Sequence, residues 1–475
     1  MQIVSSTPFV FLMMALLILR GPYVGIALLA ALMPFGMTAA FNLPAVGGTS
    51  ILMSDLLLLT LLVLVLLRKG VDRDITAIFA PGGMALTLLL FLGYTTLASV
   101  FLPRVYAGMT EVFSLSRLVN EEGIISIPLQ ASGANLSQLI RLCFSLTSFL
   151  VVAILIYRRP NPALLLRSMK LATGINVALG LIDVTSANAG MASIMDPFRT
   201  ANYALTLGQE MAGVRRMIGG FPEASTFGYF SLGLFGFWMS YYLSSRSAGQ
   251  SGAGLWLALA TFALLRCTSS SAYVGAAGFL AVFAIVQSRN ATVGMSRAAA
   301  GIVLVVAALI PVLAAASYVA YELIPAVTQF VDRSLFDKLS SNSGIERMSW
   351  NAQAIKNFFD TDMLGAGLGS VRASNWITAA LASVGLPGFF MLLVFYKRLF
   401  MAPNLSGDPE TRRIVSAMKM GCLAFIMRSL VVHGTPNMGI MFFFMAGSVA
   451  GFAALAASAT AHSGQPTRLM TRSVT

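Results

Sequence analysis

Long apolar runs separated by short polar breaks dominate the chain. The runs fall at about 8–19, 22–36, 52–67, 84–101, 137–156, 166–185, 225–244, 255–267, 272–287, 298–320, 376–396, 414–430 and 438–459, and their length and lack of period-2 alternation predict helices. A straight span needs ~20 residues, and several runs are shorter. The pattern therefore predicts an all-α polytopic membrane protein with 11 to 13 transmembrane helices in a single membrane domain, 1–475. A break at Arg20, Gly21 and Pro22 makes the first two runs readable as one broken element. Cys267 to Ser271 joins two others through a tight turn.

Composition agrees with this class. Hydrophobic residues make up 57% of the chain and charged residues 10%, with a mean hydropathy of +0.81; few soluble folds look like this. No Lys or Arg precedes the first run, so the N-terminus does not read as a cleaved signal peptide. Cys143, Cys267 and Cys422 are far apart, and His occurs only at 433 and 462. That spacing argues against a disulfide framework and against a Cys/His metal site.

Charge adds an orientation. Arg20, the connections 68–83, 157–170, 245–254, 288–297 and 397–419, and the C-terminal tail hold 18 Lys and Arg but 4 acids, out of 31 and 18 in the chain. The positive-inside rule makes that side cytoplasmic. The net charge of +13 is thus an orientation signal, and nucleic acid is not expected as a partner. Three long segments then lie outside: about 102–136, 186–224 and 321–375. Chemistry is expected on that face, where ATP is absent; no P-loop motif occurs in the chain.

Two outer segments carry candidate chemistry. Arg215, Arg216, Gly219, Gly220, Pro222 and Glu223 cluster just before an apolar run, at the mouth of a span. In 321–375, Ser343 and Glu346 form a capping-box pattern. Ile345, Met348, Ala352, Ile355 and Phe359 follow at helical spacing, with Arg347, Asn351 and Lys356 on other faces. This predicts an amphipathic helix that lies on the membrane or closes over a cavity. It ends at Asp360 and Asp362, before Gly365, Gly367, Gly369, Arg372 and Asn375. Each feature has a plain alternative. The arginines can anchor at the interface, Glu223 can cap the next helix, and the Asp pair can be a helix-end turn. Asp55, Arg141 and Asp183 sit at span ends, where solvation is cheap, and His433 reads as incidental. Taken jointly, arginines beside glycine-rich turns in two outer loops match the planar, bidentate recognition of phosphate, and several together suit a diphosphate.

At these residues the chain resembles the O-antigen polymerase and O-antigen ligase superfamily, which includes exopolysaccharide polymerases. The segment from Arg216 through Gly219, Gly220, Glu223 and Ser225 to Gly228 is similar to that family's arginine–glycine segment leading into a helix. Arg347 through Gly365, Gly367 and Gly369 to Asn375, then Gly385 to Gly388, resembles its second region. Thr268 to Ser271 sits where many members have a Thr/Ser-rich turn ending in arginine; here Arg266 lies upstream instead. Ligases of the superfamily typically carry a histidine after the glycine turn, where this chain has Ser374 and Asn375.

The resemblance implies a GT-C-like helical bundle with long external loops, in a bacterial inner membrane with its active face periplasmic. It implies a membrane glycosyltransferase that polymerises oligosaccharide repeat units carried on undecaprenyl diphosphate into a surface polysaccharide. Glu223, Arg216 and Arg347 would be catalytic, and Arg215, Arg372, Asn375, Gly367 and Gly369 would bind substrate. No metal and no cofactor are expected. The partners are the lipid-linked oligosaccharide and membrane lipids, and a chain-length regulator is allowed. The absent histidine favours polymerase over ligase. A flippase or transporter is disfavoured because few charges lie deep in the spans.

Overall fold

The computed structural model describes the chain except for residues 1, 44–48, 116–123, 203–209, 212–213, 247–251, 292–318, 320, 326–327, 329–341, 405–406 and 464–475. Helices make almost all of it: α1 (Thr7–Arg20), α2 (Pro22–Leu32), α3 (Met53–Leu66), α4 (Val71–Ile78), α5 (Met84–Val105), α6 (Gly133–Arg158), α7 (Pro162–Asn188), α8 (Ala224–Arg246), α9 (Ala253–Arg266), α10 (Ser270–Ala291), α11 (Asn342–Asp360), α12 (Trp376–Met401), α13 (Pro409–Val431) and α14 (Ile440–Ser463). Twelve of the thirteen apolar runs coincide with helices, and the run 298–320 lies, apart from Val319, outside the described residues. Among the described residues α5, α6, α7, α12, α13 and α14 are long and apolar enough to cross a membrane. The protein is an all-α polytopic membrane protein. Helices α1, α2, α3 and α9 are apolar but shorter. The break expected near Arg20 is Gly21 at φ +82°, between the end of α1 and the start of α2 at Pro22.

Small residues let the helices approach closely, as membrane packing requires. Helix α8 lies along α13, and α6 along α14. A Cβ at Gly236 would stand 2.8 Å from the Met420 carbonyl oxygen, and one at Gly447 would stand 2.4 Å from that of Phe149. Buried aromatic side chains, among them Phe149, Phe395, Phe425, Phe442 and Phe443, fill the centre.

Short strands occur where the sequence predicted only loops. β1 (Gln2–Ile3), β2 (Ala39–Leu43) and β3 (Thr49–Leu52) form one small antiparallel sheet; β4 (Glu111–Leu115) pairs with β5 (Ile124–Pro128), and β6 (Glu210–Met211) with β7 (Val214–Arg215). Such hairpins satisfy loop backbone that has no helix to join.

The amphipathic helix of the largest loop exists as α11. Its apolar stripe points away from the protein: Ile345, Met348, Ile355 and Phe359 are each about half exposed, whereas Ala354, Asn357 and Phe358 are buried. An outward apolar stripe fits a helix resting on a membrane surface. It does not fit one that uses those residues to close over a cavity. The inward face is held by Asn357, whose Nδ2 donates to Thr110 Oγ1 (2.9 Å) and to the Glu111 carbonyl (2.6 Å).

After α11 the chain is stitched into a span. Helix α12 is broken at Gly385, φ +60°. The break releases backbone groups, and the segment 363–367 takes them. Ala366 and Gly367 donate to the carbonyls of Ala382 (2.8 Å) and Ser383 (3.0 Å), and Leu386 donates to the Met363 carbonyl (2.9 Å). A Cβ at Gly385 would lie 2.4 Å from the Met363 oxygen, so no other residue fits there.

Candidate functional site

The site is assembled at the end of the bundle where α6, α8 and α12 begin. Its foundation is Asp183 on α7, 1% exposed. One carboxylate oxygen pairs with Arg199 Nη2 at 2.5 Å, and the other accepts the backbone N–H groups of Ile218 and Gly219, each at 3.0 Å. Arg199 also donates to the Gly219 carbonyl (3.3 Å), and Met217 N–H reaches the Arg266 carbonyl (3.3 Å). The segment after β7 is therefore fixed on both sides. Gly220 passes so close to α2's end that a Cβ would stand 2.4 Å from the Pro34 carbonyl oxygen. Asp183 is thus no span-end residue in cheap solvent, as its position in the sequence implied. It is a buried anchor, and an ion pair with two further amide donors is what makes its burial tolerable.

On this foundation Arg216 is held with Glu223. Burial pushes the Arg216 guanidinium below the usual arginine range, Glu223 and Tyr273 oppose that shift, and Arg347 reinforces it. These four side chains therefore share one electrostatic neighbourhood, although Arg347 comes from a different loop. Helix register explains the meeting: Arg347, Asn351, Ala354 and Phe358 fall on one side of α11, and Ala354 and Phe358 are buried. Glu223 precedes α8 directly. Its Oε1 accepts the hydroxyls of Ser225 and Thr226 (the latter at 3.2 Å), while Oε2 takes no hydrogen bond from a described residue. Its carbonyl receives the N–H groups of Thr226 (3.2 Å) and Phe227 (3.1 Å). The Glu223 carbonyl thus opens the helix, and its carboxylate acts electrostatically on Arg216 and Arg428.

A third arginine joins them that the sequence reading missed. Arg428, near the end of α13, is 4% exposed and interacts electrostatically with Glu223 and Arg347. It donates to the carbonyls of Ser225 (3.0 Å) and Val432, and its guanidinium lies 5.3 Å from the centre of the Tyr229 ring. Its Nε is buried without a partner, and no described carboxylate is paired with it. The close passage of α10 at Gly275, where a Cβ would stand 2.8 Å from Arg428 Cα, leaves room for this residue. Arg141 is a second charge on a span: it sits within α6 and interacts with Asp55, itself 5% exposed.

The remaining expected residues are placed elsewhere. Arg215 lies in β7, opposite Glu210. Arg372 stacks over Trp350, 4.4 Å from the ring centre; burial lowers its pKa, and Glu346 opposes that. Asn375 caps α12, accepting the Thr378 N–H at 3.0 Å. Gly367 and Gly369 pack against α5 and the start of α6, where Cβ atoms would meet Pro103 at 2.9 Å and the Ala134 carbonyl oxygen at 2.4 Å. All four make contacts within the fold. Asp360 accepts from Thr110 (2.5 Å) and Asp362 from Tyr106 (3.0 Å), so the pair is a docked helix end. The capping serine, Ser343, has its side chain outside the described residues.

His433 proves more integrated than the sequence implied. Its ring lies 5.2 Å from that of Tyr229, Nε2 contacts the Asn437 carbonyl at 2.9 Å, and its N–H donates to the Ser374 carbonyl at 2.7 Å. Burial drives its pKa down to about 4; the Asn437 contact opposes this and Arg428 adds to it. The imidazole is therefore neutral near pH 7.

Arg216 and Arg428 each feel both Glu223 and Arg347, and a neighbourhood with three guanidinium groups and one carboxylate suits an anion carrying more than one charge. Among the described residues no three His, Cys, Asp or Glu side chains gather to hold a metal ion. Compared with known families and curated proteins, the chain matches no family model and no curated sequence.

Proposed function

We propose that this protein is a membrane glycosyltransferase of the polysaccharide-polymerase kind, acting on repeat units linked to undecaprenyl diphosphate at the outer face of a bacterial inner membrane. The observation that carries the reading is the gathering of Arg216, Arg347 and Arg428 around Glu223 at one end of a membrane bundle. The family resemblance of the segments around Arg216 and Arg347 supports it. In this reading the arginines hold the donor's diphosphate. Glu223 accepts the proton of an acceptor sugar hydroxyl. That oxygen bonds to the donor's anomeric carbon, and the bond from that carbon to the phosphate oxygen breaks. The electron pair leaves on the diphosphate, whose charge the guanidinium groups stabilise as it develops. The fold would then be GT-C-like.

Transport of the same lipid-linked substrate is the second reading, favoured by the burial of Arg428 on a span and of Asp55 beside Arg141, since charged groups inside membrane helices often line a path. Glycan analysis of a strain lacking the gene, complemented with wild type or with the Arg216→Ala, Arg347→Ala double variant, separates the two. Single exported repeat units with long chains absent are expected from the deletion and from the double variant. Repeat units trapped on the inner face would establish transport instead. Full-length polymer from a well-inserted double variant would end the transferase reading.

A further inference from the structure

Beside the arginine cluster lies a cavity of about 290 Å³, roomy enough for a sugar ring. Its polar wall is built by Asp55 of α3, Gln138 and Arg141 of α6, and Asn437 from the turn before α14; Phe221 and Phe230 supply apolar faces. Nothing in the reaction proposed above uses these groups. The Asp55 carboxylate is nearly inaccessible, and only one oxygen is accounted for, by the Leu52 N–H at 2.9 Å. The other takes no hydrogen bond from a described residue. The Gln138 amide likewise makes none. A carboxylate and an amide with open bonding capacity on one cavity wall leave hydrogen bonds for a ligand to complete.

The chemistry of the wall selects the ligand. Asp55 and Arg141 place opposite charges on the same wall and interact there, so the wall does not present a single sign of charge. A carboxylate accepts hydroxyl protons, while a guanidinium and an amide donate to ring and hydroxyl oxygens. Aromatic faces suit the apolar C–H side of a pyranose. A neutral, polyhydroxylated ring meets all three demands. Two side chains link the cavity to the cluster. Thr226 lines it and donates to Glu223, and Tyr229 lines it while its ring lies beside Arg428.

We propose that this cavity is the acceptor subsite. It binds a neutral sugar residue through Asp55, Gln138 and Arg141 and presents one of its hydroxyls toward Glu223. The acceptor role rests on the transferase reading, but the sugar site is testable apart from it. The experiment is saturation-transfer NMR on the full chain in detergent with glucose, galactose, mannose and glucuronate, alongside equilibrium binding of undecaprenyl diphosphate. At least one neutral sugar should receive saturation from wild type. Its Kd should rise by about tenfold or more in Asp55→Asn and in Gln138→Ala and stay unchanged in Arg216→Ala. Asn keeps an oxygen for the Leu52 N–H, so the helix start survives; a monodisperse elution profile checks this, and Gln138→Ala gives a second variant. Diphosphate binding should show the opposite pattern, lost in Arg216→Ala and kept in Asp55→Asn. Absence of neutral-sugar binding, a preference for glucuronate, or equal sugar binding by wild type and both cavity variants would each overturn the proposal. Sugar binding without diphosphate binding would keep the subsite and remove the transferase reading.

Discussion

The two ends of the helix bundle treat positive charge in opposite ways. At the end where α6 and α12 finish, basic side chains are answered. Arg158 meets Asp74 at 3.2 Å, Arg413 meets Glu410 at 3.0 Å, Arg398 donates to the Gly83 carbonyl, and Lys419 to those of Phe400 and Ala402. At the end where α8 and α12 start, Arg216, Arg347 and Arg428 converge, and Glu223 is the one carboxylate acting on both Arg216 and Arg428. The second end is not short of pairing devices, since Asp183 and Arg199 are joined there at 2.5 Å. At the first end each of these basic groups has a carboxylate or carbonyl partner. At the second, Arg216, Arg347 and Arg428 share one electrostatic neighbourhood, which in the function proposed above receives the donor's diphosphate.

Three measurements would break or sharpen this contrast. The largest effect is expected from Arg347→Ala or Arg428→Lys, each lowering polymer formation in isolated membranes by about 100-fold or more. Arg158→Ala at the opposite end should change it by less than about twofold. Equal losses at both ends would erase the distinction.

The second effect is on stability. Asp183→Asn leaves Arg199 buried and unpaired and should cost about 3–5 kcal/mol, read as a lowered melting temperature in detergent. Glu410→Gln, which disturbs a partly exposed pair, should cost about 1 kcal/mol or less. A mild Asp183→Asn would mean that the Gly219 segment is held by packing alone.

The smallest effect concerns pH. The His433 pKa falls from 6.5 to about 4 on folding, so between those values the unfolded chain binds more protons. Stability is then full above pH 6.5 and declines as pH falls toward 4. The loss is on the order of 2 kcal/mol at pH 5. Melting curves at pH 7 and pH 5 should diverge for wild type and converge for His433→Gln. A pH dependence that survives the substitution would assign it to another group.

Much of the fold was legible because hydropathy acts locally. The break at Gly21, the turn after Cys267 and the amphipathic α11 each follow from a few adjacent residues. Arg216, Glu223 and Arg347 were legible because charge beside glycine stands out in an apolar chain. Arg428 was not, since one arginine among apolar neighbours reads as the frayed end of a span; only the packing of α10 and α8 on α13 shows its surroundings. Asp183 was misread for a related reason: its partners, Arg199 and the amides of Ile218 and Gly219, come from a later loop. Gly367, Gly369, Arg372 and Asn375 have contacts that the sequence could not show. Glycine and arginine near a span can serve phosphate or packing equally well, and the contacts with Ala134, Pro103, Trp350 and Thr378 come from elements distant in the chain or hidden in the local fold.

The break in α12 also imposes an order of assembly. Until residues 363–367 are in place, the carbonyls of Ala382 and Ser383 and the N–H of Leu386 have no partner, and lipid offers none. The segment that satisfies them lies upstream in the chain and so leaves the ribosome first. Synthesis therefore delivers the patch before the gap it fills, and the second half of α12 can complete its insertion against a partner that already exists.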